Sequence, residues 1–149
     1  NIWETITGVA LSAEQRINDG MIDIDGLTMD EKVLVYADPD LIHQVAYNLL
    51  DNAIKFTPDG GVIRMSVRVN QGICTVIVQD NGVGISPEDR PHVFERFYTA
   101  DKAHTSGKGT GLGLSICQRI MEMHGQKITL MDTGDEAGAA FAFTLDCAK

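Results

Sequence analysis

The hydrophobic pattern changes period several times along the chain. Over residues 2–17, Trp3, Ile6, Val9, Ala10, Ala13 and Ile17 recur every three to four positions, which predicts one amphipathic helix stopped by Asn18-Asp19-Gly20. Residues 21–25 alternate and predict a short strand, followed by a polar turn over 26–31. Residues 32–37, KVLVYA, predict a stronger strand because valine and tyrosine suit a pleated surface. The longest helical pattern comes next. Asp38 is placed to cap it, Pro39 suits its first position, and Thr57, restrained by Pro58, ends it. At about 100° per residue, Ile42, Val45, Leu49, Ala53 and Phe56 fall on one apolar arc.

The period then shortens to two. Asp59-Gly60-Gly61 is a turn, and residues 62–69 and 73–79 predict a hairpin joined through Asn70-Gln71-Gly72. Ile63, Met65, Val67 and Val69 would share one face, with Arg64, Ser66 and Arg68 on the other. Ser86-Pro87-Glu88-Asp89 reads as a helix start, after which Phe94 and Phe97 are expected to pack against the body. Residues 99–108 are polar and read as a short lid. Leu112, Ile116, Ile120 and Met123 restore the helical period, and His124-Gly125 ends it. Residues 127–131 and 139–145 predict a last strand pair around a turn at 133–136, with Phe141, Phe143 and Leu145 facing the core.

Composition narrows this picture. A length of 149 residues, 44% apolar and 22% charged, predicts one soluble domain spanning 1–149. The formal charge of -9 weighs against nucleic acid and anionic membranes as partners. No apolar run is long enough to insert into a membrane, and the N-terminus does not read as a signal peptide. A helix starting at residue 2 fits excision from a longer chain. Cys74, Cys117 and Cys147 are odd in number, far apart and without metal-ligand spacing, which suggests thiols in a reducing compartment.

Three stretches carry candidate chemistry. Asn48, Asn52 and Lys55 form a second stripe on the long helix, beside the apolar arc. Amide oxygens can ligate a hard cation such as Mg²⁺ and an ammonium can meet a phosphate; the alternative is a solvated polar face. Asp80-Asn81-Gly82-Val83-Gly84-Ile85 sets an acid at a strand end and then two glycines. Such an arrangement lets a flat ligand approach, and Asp80 can accept from an exocyclic amine such as adenine's; the alternative is an ordinary Asn-Gly turn. Gly109-Thr110-Gly111-Leu112-Gly113 opens a helix whose free N–H groups can cradle phosphate oxygens. It lacks the preceding strand and distal acid of a dinucleotide site, and GKGTGLGL lacks the GxxxxGK[ST] spacing of a P-loop.

Together these stretches resemble the catalytic ATP-binding domain of bacterial two-component sensor histidine kinases, in the superfamily of DNA gyrase B, the large heat-shock chaperones and MutL. Residues 48–55 look like the family's asparagine box and 80–85 like its first glycine box. Residues 93–98, VFERFY, look like its phenylalanine box, and 109–114 like its second glycine box. The resemblance implies an α/β, two-layer sandwich with a mixed, mostly antiparallel β-sheet covered by helices on one face, the Bergerat-type ATP-binding fold. It implies ATP and Mg²⁺ as cofactors, with Asn52 as metal ligand and Asn48 in the same metal-phosphate region. Lys55 would contact phosphate, completing a catalytic set of Asn48, Asn52 and Lys55. Asp80 would recognise the adenine amino group, with Gly82, Gly84 and Ile85 around the purine. Gly109, Thr110, Gly111, Leu112 and Gly113 would admit the phosphates. Arg96, Tyr98 and Lys108 would be further nucleotide contacts, with Arg96 alternatively a surface partner of Glu95 or Glu88 and Tyr98 either bordering the nucleotide or anchoring the lid.

The activity so implied is transfer of the ATP γ-phosphoryl group to a histidine on a separate dimerisation domain of the parent kinase. From there the phosphoryl group passes to an aspartate on a response regulator. That makes the chain a cytoplasmic domain of a membrane-associated sensor, able to bind ATP but not to phosphorylate itself. No histidine reads as the acceptor: His43 lies roughly 140° around the helix from Asn48 and is followed by Gln44 rather than an acid, and His92, His104 and His124 read as helix, lid and helix-end residues. Two departures from the family pattern, Gln126 for a glycine and Gly138-Ala139-Ala140 without threonines, are expected to lie away from the nucleotide. Alternatives are an ATPase or nucleotide-dependent switch of the gyrase type, an ATP-binding module without independent catalysis, and an anti-sigma serine kinase. The ATPases usually place a general-base glutamate four residues before the metal-binding asparagine; here that residue is Asn48.

Overall fold

The computed structural model describes residues 1–26, 32–82, 88, 90–94, 113–131 and 138–148. The first helical stretch is two helices rather than one: α1, Ile2–Ser12, and α2, Glu14–Asp19. They meet at Ala13, which leaves helical geometry at φ -102° and ψ 8°. The Ser12 hydroxyl donates to the Gly8 carbonyl at 3.0 Å, a back-bond that bends helices and that the apolar period does not reveal. The alternating stretch after it yields the short strand β1, Asp23–Asp25.

Residues 32–37 are a second correction. Their ladder is a single antiparallel bridge, Val35 to Cys147. Their backbone is divided between two neighbours. Val33 donates to Asn1 Oδ1 at 3.2 Å and accepts from Ile2 at 2.8 Å, while Tyr36 N–H reaches Asp146 and Leu34 accepts from Ala148. A segment that secures the start of α1 as well as the sheet edge cannot give all its polar groups to one ladder.

Helix α3, Pro39–Phe56, follows the expected pattern closely. Asp38 Oδ1 accepts from the N–H groups of Asp40 and Leu41 at 3.0 and 3.1 Å, satisfying two of the free donors at its start. Thr57 is extended, as a residue before proline should be, and its hydroxyl donates to the Ala53 carbonyl. Ile42, Val45, Ala46, Leu49, Leu50 and Ala53 are buried.

The hairpin strands are β2, Val62–Asn70, and β3, Ile73–Asp80; helix α4, Gly113–Met123, and strands β4, Ile128–Met131, and β5, Ala140–Asp146, complete the regular elements. A short 3-10 turn spans Arg90–His92, within the stretch expected to be helical. The five strands form one sheet ordered β1-β2-β3-β5-β4, parallel between β1 and β2 and antiparallel elsewhere. One face packs against the helices through Ile63, Met65, Cys74, Val76, Val78, Phe141, Phe143 and Leu145, in one cluster with the buried residues of α1, α3 and α4. The opposite face has a small cluster of Ile77, Ala140 and Ala142. The mixed sheet with helices on one side is the two-layer fold expected. Val69, placed by alternation on the core face, is 55% exposed, although its cross-strand partner Cys74 is buried.

Two substitutions separate core packing from capping. Leu49→Ala removes a fully buried side chain between helix and sheet and is expected to cost about 3 kcal/mol. Asp38→Ala removes the α3 cap and is expected to cost about 1 kcal/mol. Urea unfolding checks both; equal losses would show that α3 is not held mainly by its apolar face.

Candidate functional site

Asn48, Asn52 and Lys55 lie half-buried on one flank of α3. The Asn48 amide Nδ2 donates to the Gly113 carbonyl at 3.5 Å, joining α3 to the first residue of α4. Asn48 also hydrogen-bonds the Cys117 thiol, which lies 3.8 Å from the Val45 carbonyl. Burial pushes the Cys117 thiol up to about 12, with the Asn48 hydrogen bond offsetting part of the rise, so this sulfur is a packed, protonated group rather than a nucleophile. Lys55 Nζ lies 3.0 Å from Asp51 Oδ2, one turn back on the same helix.

The other end of the site is built from the end of β3. Asp80 is buried, and its Oδ1 accepts from Gly82 N–H at 2.9 Å and from Ala139 N–H at 3.4 Å. Burial raises the carboxyl pKa above its ordinary value, and the two backbone N–H groups pull it partway back. Gly82 is required sterically: a Cβ there would lie 2.0 Å from the Phe56 carbonyl oxygen at the end of α3. Asn81 exchanges hydrogen bonds with the start of β2, its Oδ1 accepting from Val62 N–H at 2.9 Å and its N–H donating to the Val62 carbonyl at 3.2 Å. It is a latch, a role that reading the stretch as a glycine turn missed.

Gly138 and Ala139 correct one expectation. The family pattern sets them away from the nucleotide, yet a Cβ on Gly138 would lie 1.9 Å from the Asp80 carbonyl oxygen, and Ala139 bonds both the backbone and side chain of Asp80. The pairing of β3 with β5 brings them there, and no local sequence signal carries it. Gln126, the other departure, bonds the Thr144 hydroxyl at 2.9 Å. His124 does more than end α4: its Nδ1 lies 2.8 Å from the Ile120 carbonyl and its Nε2 accepts from Asp38 N–H at 3.1 Å. A proton on Nδ1 satisfies both contacts, tying the end of α4 to the cap of α3.

The structure thus brings α3 into contact with Gly113 at Asn48 and with Gly82 at Phe56, positions about 12 Å apart along the helix axis. Lys55 sits near the second end, and Asn52 lies one helical turn from Asn48 on the same flank. A buried carboxylate at one end and amides on the flank can receive an elongated ligand with an amine at one end and anionic groups at the other. Phe94 packs edge-on against Phe141, as expected, with ring centroids 5.9 Å apart. Gly84, Ile85, Arg96, Tyr98, Lys108, Gly109, Thr110, Gly111 and Leu112 lie outside the described residues, as do Phe97 and the lid over 99–108.

Comparison with known proteins places these features in context. The family described as histidine kinase-, DNA gyrase B-, and HSP90-like ATPase matches residues 37–149. The sensor protein KdpD of Clostridium acetobutylicum is 41% identical over 117 residues, which cover 78% of this chain and 13% of KdpD. The chain thus spans a small part of that curated relative. Among solved structures, the catalytic domain of histidine kinase ThkA superposes with a TM-score of 0.81 at 32% identity, covering 98% of this chain and 94% of that one. The same kinase solved in complex with the response regulator protein TrrA gives 0.82 over 99% of this chain and 41% of that one. Full-length ShkA in complex with AMPPNP gives 0.83 at 26% identity, over 99% of this chain and 31% of that one.

The buried Asp80 generates a stability prediction. Its folded pKa lies above the unfolded value, so the folded state retains a proton that the unfolded state has lost, and stability falls as pH rises through the window between the two values. Asp80→Asn keeps the acceptor oxygen and removes the buried charge. It is expected to raise the stability of the chain without ligand at neutral pH by roughly 1 kcal/mol, or about 2–4 °C in Tm. Thermal unfolding at several pH values checks this; a Tm lowered at neutral pH would show that the charge stabilises the fold.

Proposed function

The chain belongs to the family of histidine kinase-, DNA gyrase B- and HSP90-like ATPases, with sensor histidine kinases as its relatives, and on that premise we propose that it binds Mg-ATP and transfers the γ-phosphoryl group to a histidine. The acceptor lies on a separate dimerisation domain of a longer parent kinase, with residues 1–149 as its catalytic domain. From the histidine the phosphoryl group passes to a response regulator; the complex of ThkA with TrrA supports a partner of that kind, and the complex of ShkA with AMPPNP supports an adenine nucleotide as ligand. The parent is a membrane-associated sensor with this domain on the cytoplasmic side. Among the described residues, no helix is long and apolar enough to cross a membrane.

In this reading Asp80 accepts the adenine amino group at the closed end of the site. The donor half of the Asn48 amide is engaged by Gly113, which leaves Oδ1 for a cation; Asn52 offers a second amide oxygen one turn along, and such oxygen donors suit Mg²⁺. Bound there, Mg²⁺ would neutralise charge on the phosphate oxygens during transfer. Lys55 exchanges its contact with Asp51 for a phosphate. Gly113, with Gly109, Thr110, Gly111 and Leu112 before it, lets the phosphates approach the N-terminus of α4. Arg96, Tyr98 and Lys108 close the site, while Gly82, Gly84 and Ile85 frame the purine. The chain's contribution is positioning and charge neutralisation, with the nucleophile brought by its partner.

The observation that carries kinase over ATPase is the contact of Asn48 with Gly113. A water-activating carboxylate would stand at position 48; here the residue is an amide, and its Nδ2 donates to the Gly113 carbonyl. A neutral amide satisfies that carbonyl and cannot take a proton from water, so the phosphoryl group is kept for a protein acceptor. The test supplies γ-labelled ATP, Mg²⁺ and the parent's dimerisation domain. Acid-labile label on that domain is expected, reduced about 100-fold or more by Asn52→Ala. Asn48→Glu is expected to give no fast hydrolysis. Rapid steady-state hydrolysis by the unmodified chain, or ATP binding with no label on the acceptor, would overturn the reading.

A further inference from the structure

The corner that opens β5 has no role in the chemistry above. Gly138 sits at φ +92°, a conformation side chains rarely adopt, and a Cβ on it would meet the Asp80 carbonyl oxygen at 1.9 Å and the carboxylate Oδ1 at 2.8 Å. Ala139 turns its N–H to that same Oδ1 at 3.4 Å, while its carbonyl receives the Asp80 N–H at 3.0 Å. Gly82 N–H reaches Oδ1 at 2.9 Å. Two backbone donors, one following β3 and one preceding β5, converge on one oxygen of a buried carboxylate, and neither uses Oδ2.

We infer that the Gly138–Ala139 corner is a positioning and base-specificity element, which pins Oδ1 of Asp80 so that Oδ2 is presented to the purine as a fixed hydrogen-bond acceptor. The inference rests on the ATP-binding reading and deepens it, because it says which part of the fold sets the choice of base. The terminal torsion of an aspartate is broad, so an unsupported carboxylate rotates and offers either oxygen. Held by two N–H groups on one side, it keeps one orientation. A 6-amino purine then donates to Oδ2. A 6-oxo purine brings a second acceptor against it, and two acceptors facing each other in a buried site are penalised. Discrimination between the two therefore depends on how firmly the corner holds Asp80. Only glycine allows the β5 backbone to pass this close, since any Cβ at position 138 displaces Asp80 itself.

The test compares ATP with ITP, which carries an oxo group in place of the 6-amino group, in calorimetric titrations of the whole chain with Mg²⁺. The unmodified chain is expected to prefer ATP by about 100-fold or more. Gly138→Ala is expected to reduce the ATP/ITP affinity ratio at least about 10-fold. Ala139→Pro deletes the N–H donor but keeps the carbonyl that receives the Asp80 N–H, and proline is tolerated at a strand's start. It should reduce the ratio similarly, and it decides the matter if Gly138→Ala does not fold, with circular dichroism and thermal unfolding reporting folding. Folded variants that lose affinity for both nucleotides equally, with the ratio unchanged, would show the corner to be structural support only and overturn the inference. An unmodified chain that binds ATP and ITP alike would also overturn it, leaving nucleotide binding itself intact. No detectable ATP binding by the unmodified chain would instead sink the ATP reading and this inference with it.

Discussion

Helix α3 has one face to bury and one flank to use, and the arrangement of the molecule follows from keeping the two apart. Its apolar arc, Ile42, Val45, Leu49 and Ala53, is closed against the sheet and the neighbouring helices. Burial of these side chains holds the axis of the helix, and a fixed axis sets where a residue two or three positions around it can point. Asn48, Asn52 and Lys55 share a flank for that reason alone. The cap from Asp38 sets the register at one end and Thr57 at the other, and both ends are used elsewhere: Asp38 N–H by His124, and the Phe56 carbonyl by close contact with Gly82. A helix gripped at its face and at both termini has little freedom to turn its polar flank away.

The opposing end of the site is held by backbone rather than by packing. Burial of the Asp80 carboxyl acts against its ionised form, and two N–H groups on Oδ1 recover part of the difference. The ionised group is therefore poorly placed for stability, a tension common where polar groups are buried at functional sites. The close approaches at Gly82 and Gly138 lie around the same group. Each admits main chain where a side chain would stand, so that Asp80 is enclosed by peptide groups of fixed geometry.

Legibility in the sequence follows the range of the forces involved. Helix α3, the hairpin of β2 and β3, and the alternation of Phe141, Phe143 and Leu145 are recorded in local periodicity, and so is the stripe of Asn48, Asn52 and Lys55. The break at Ala13, next to a hydroxyl that returns to a carbonyl four residues back, escaped because the apolar period runs on across it. Residues 32–37 carried strand composition, but pairing depends on which neighbours are available, and α1 had claimed part of that backbone. The insertion of β5 between β3 and β4 is likewise nonlocal, and with it goes the meeting of Gly138 and Ala139 with Asp80. Motif spacing located the acid without locating what holds it.

The seam between α3 and α4 links these points to the reaction. Asn48 contributes its amide hydrogen to Gly113 and its proximity to Cys117, so one residue serves helix packing and faces the flank used for ligand. A carboxylate in its place would set an acceptor near the Gly113 carbonyl and lose this hydrogen bond between the two helices. A change at position 48 therefore also changes the link between α3 and the first residue of α4.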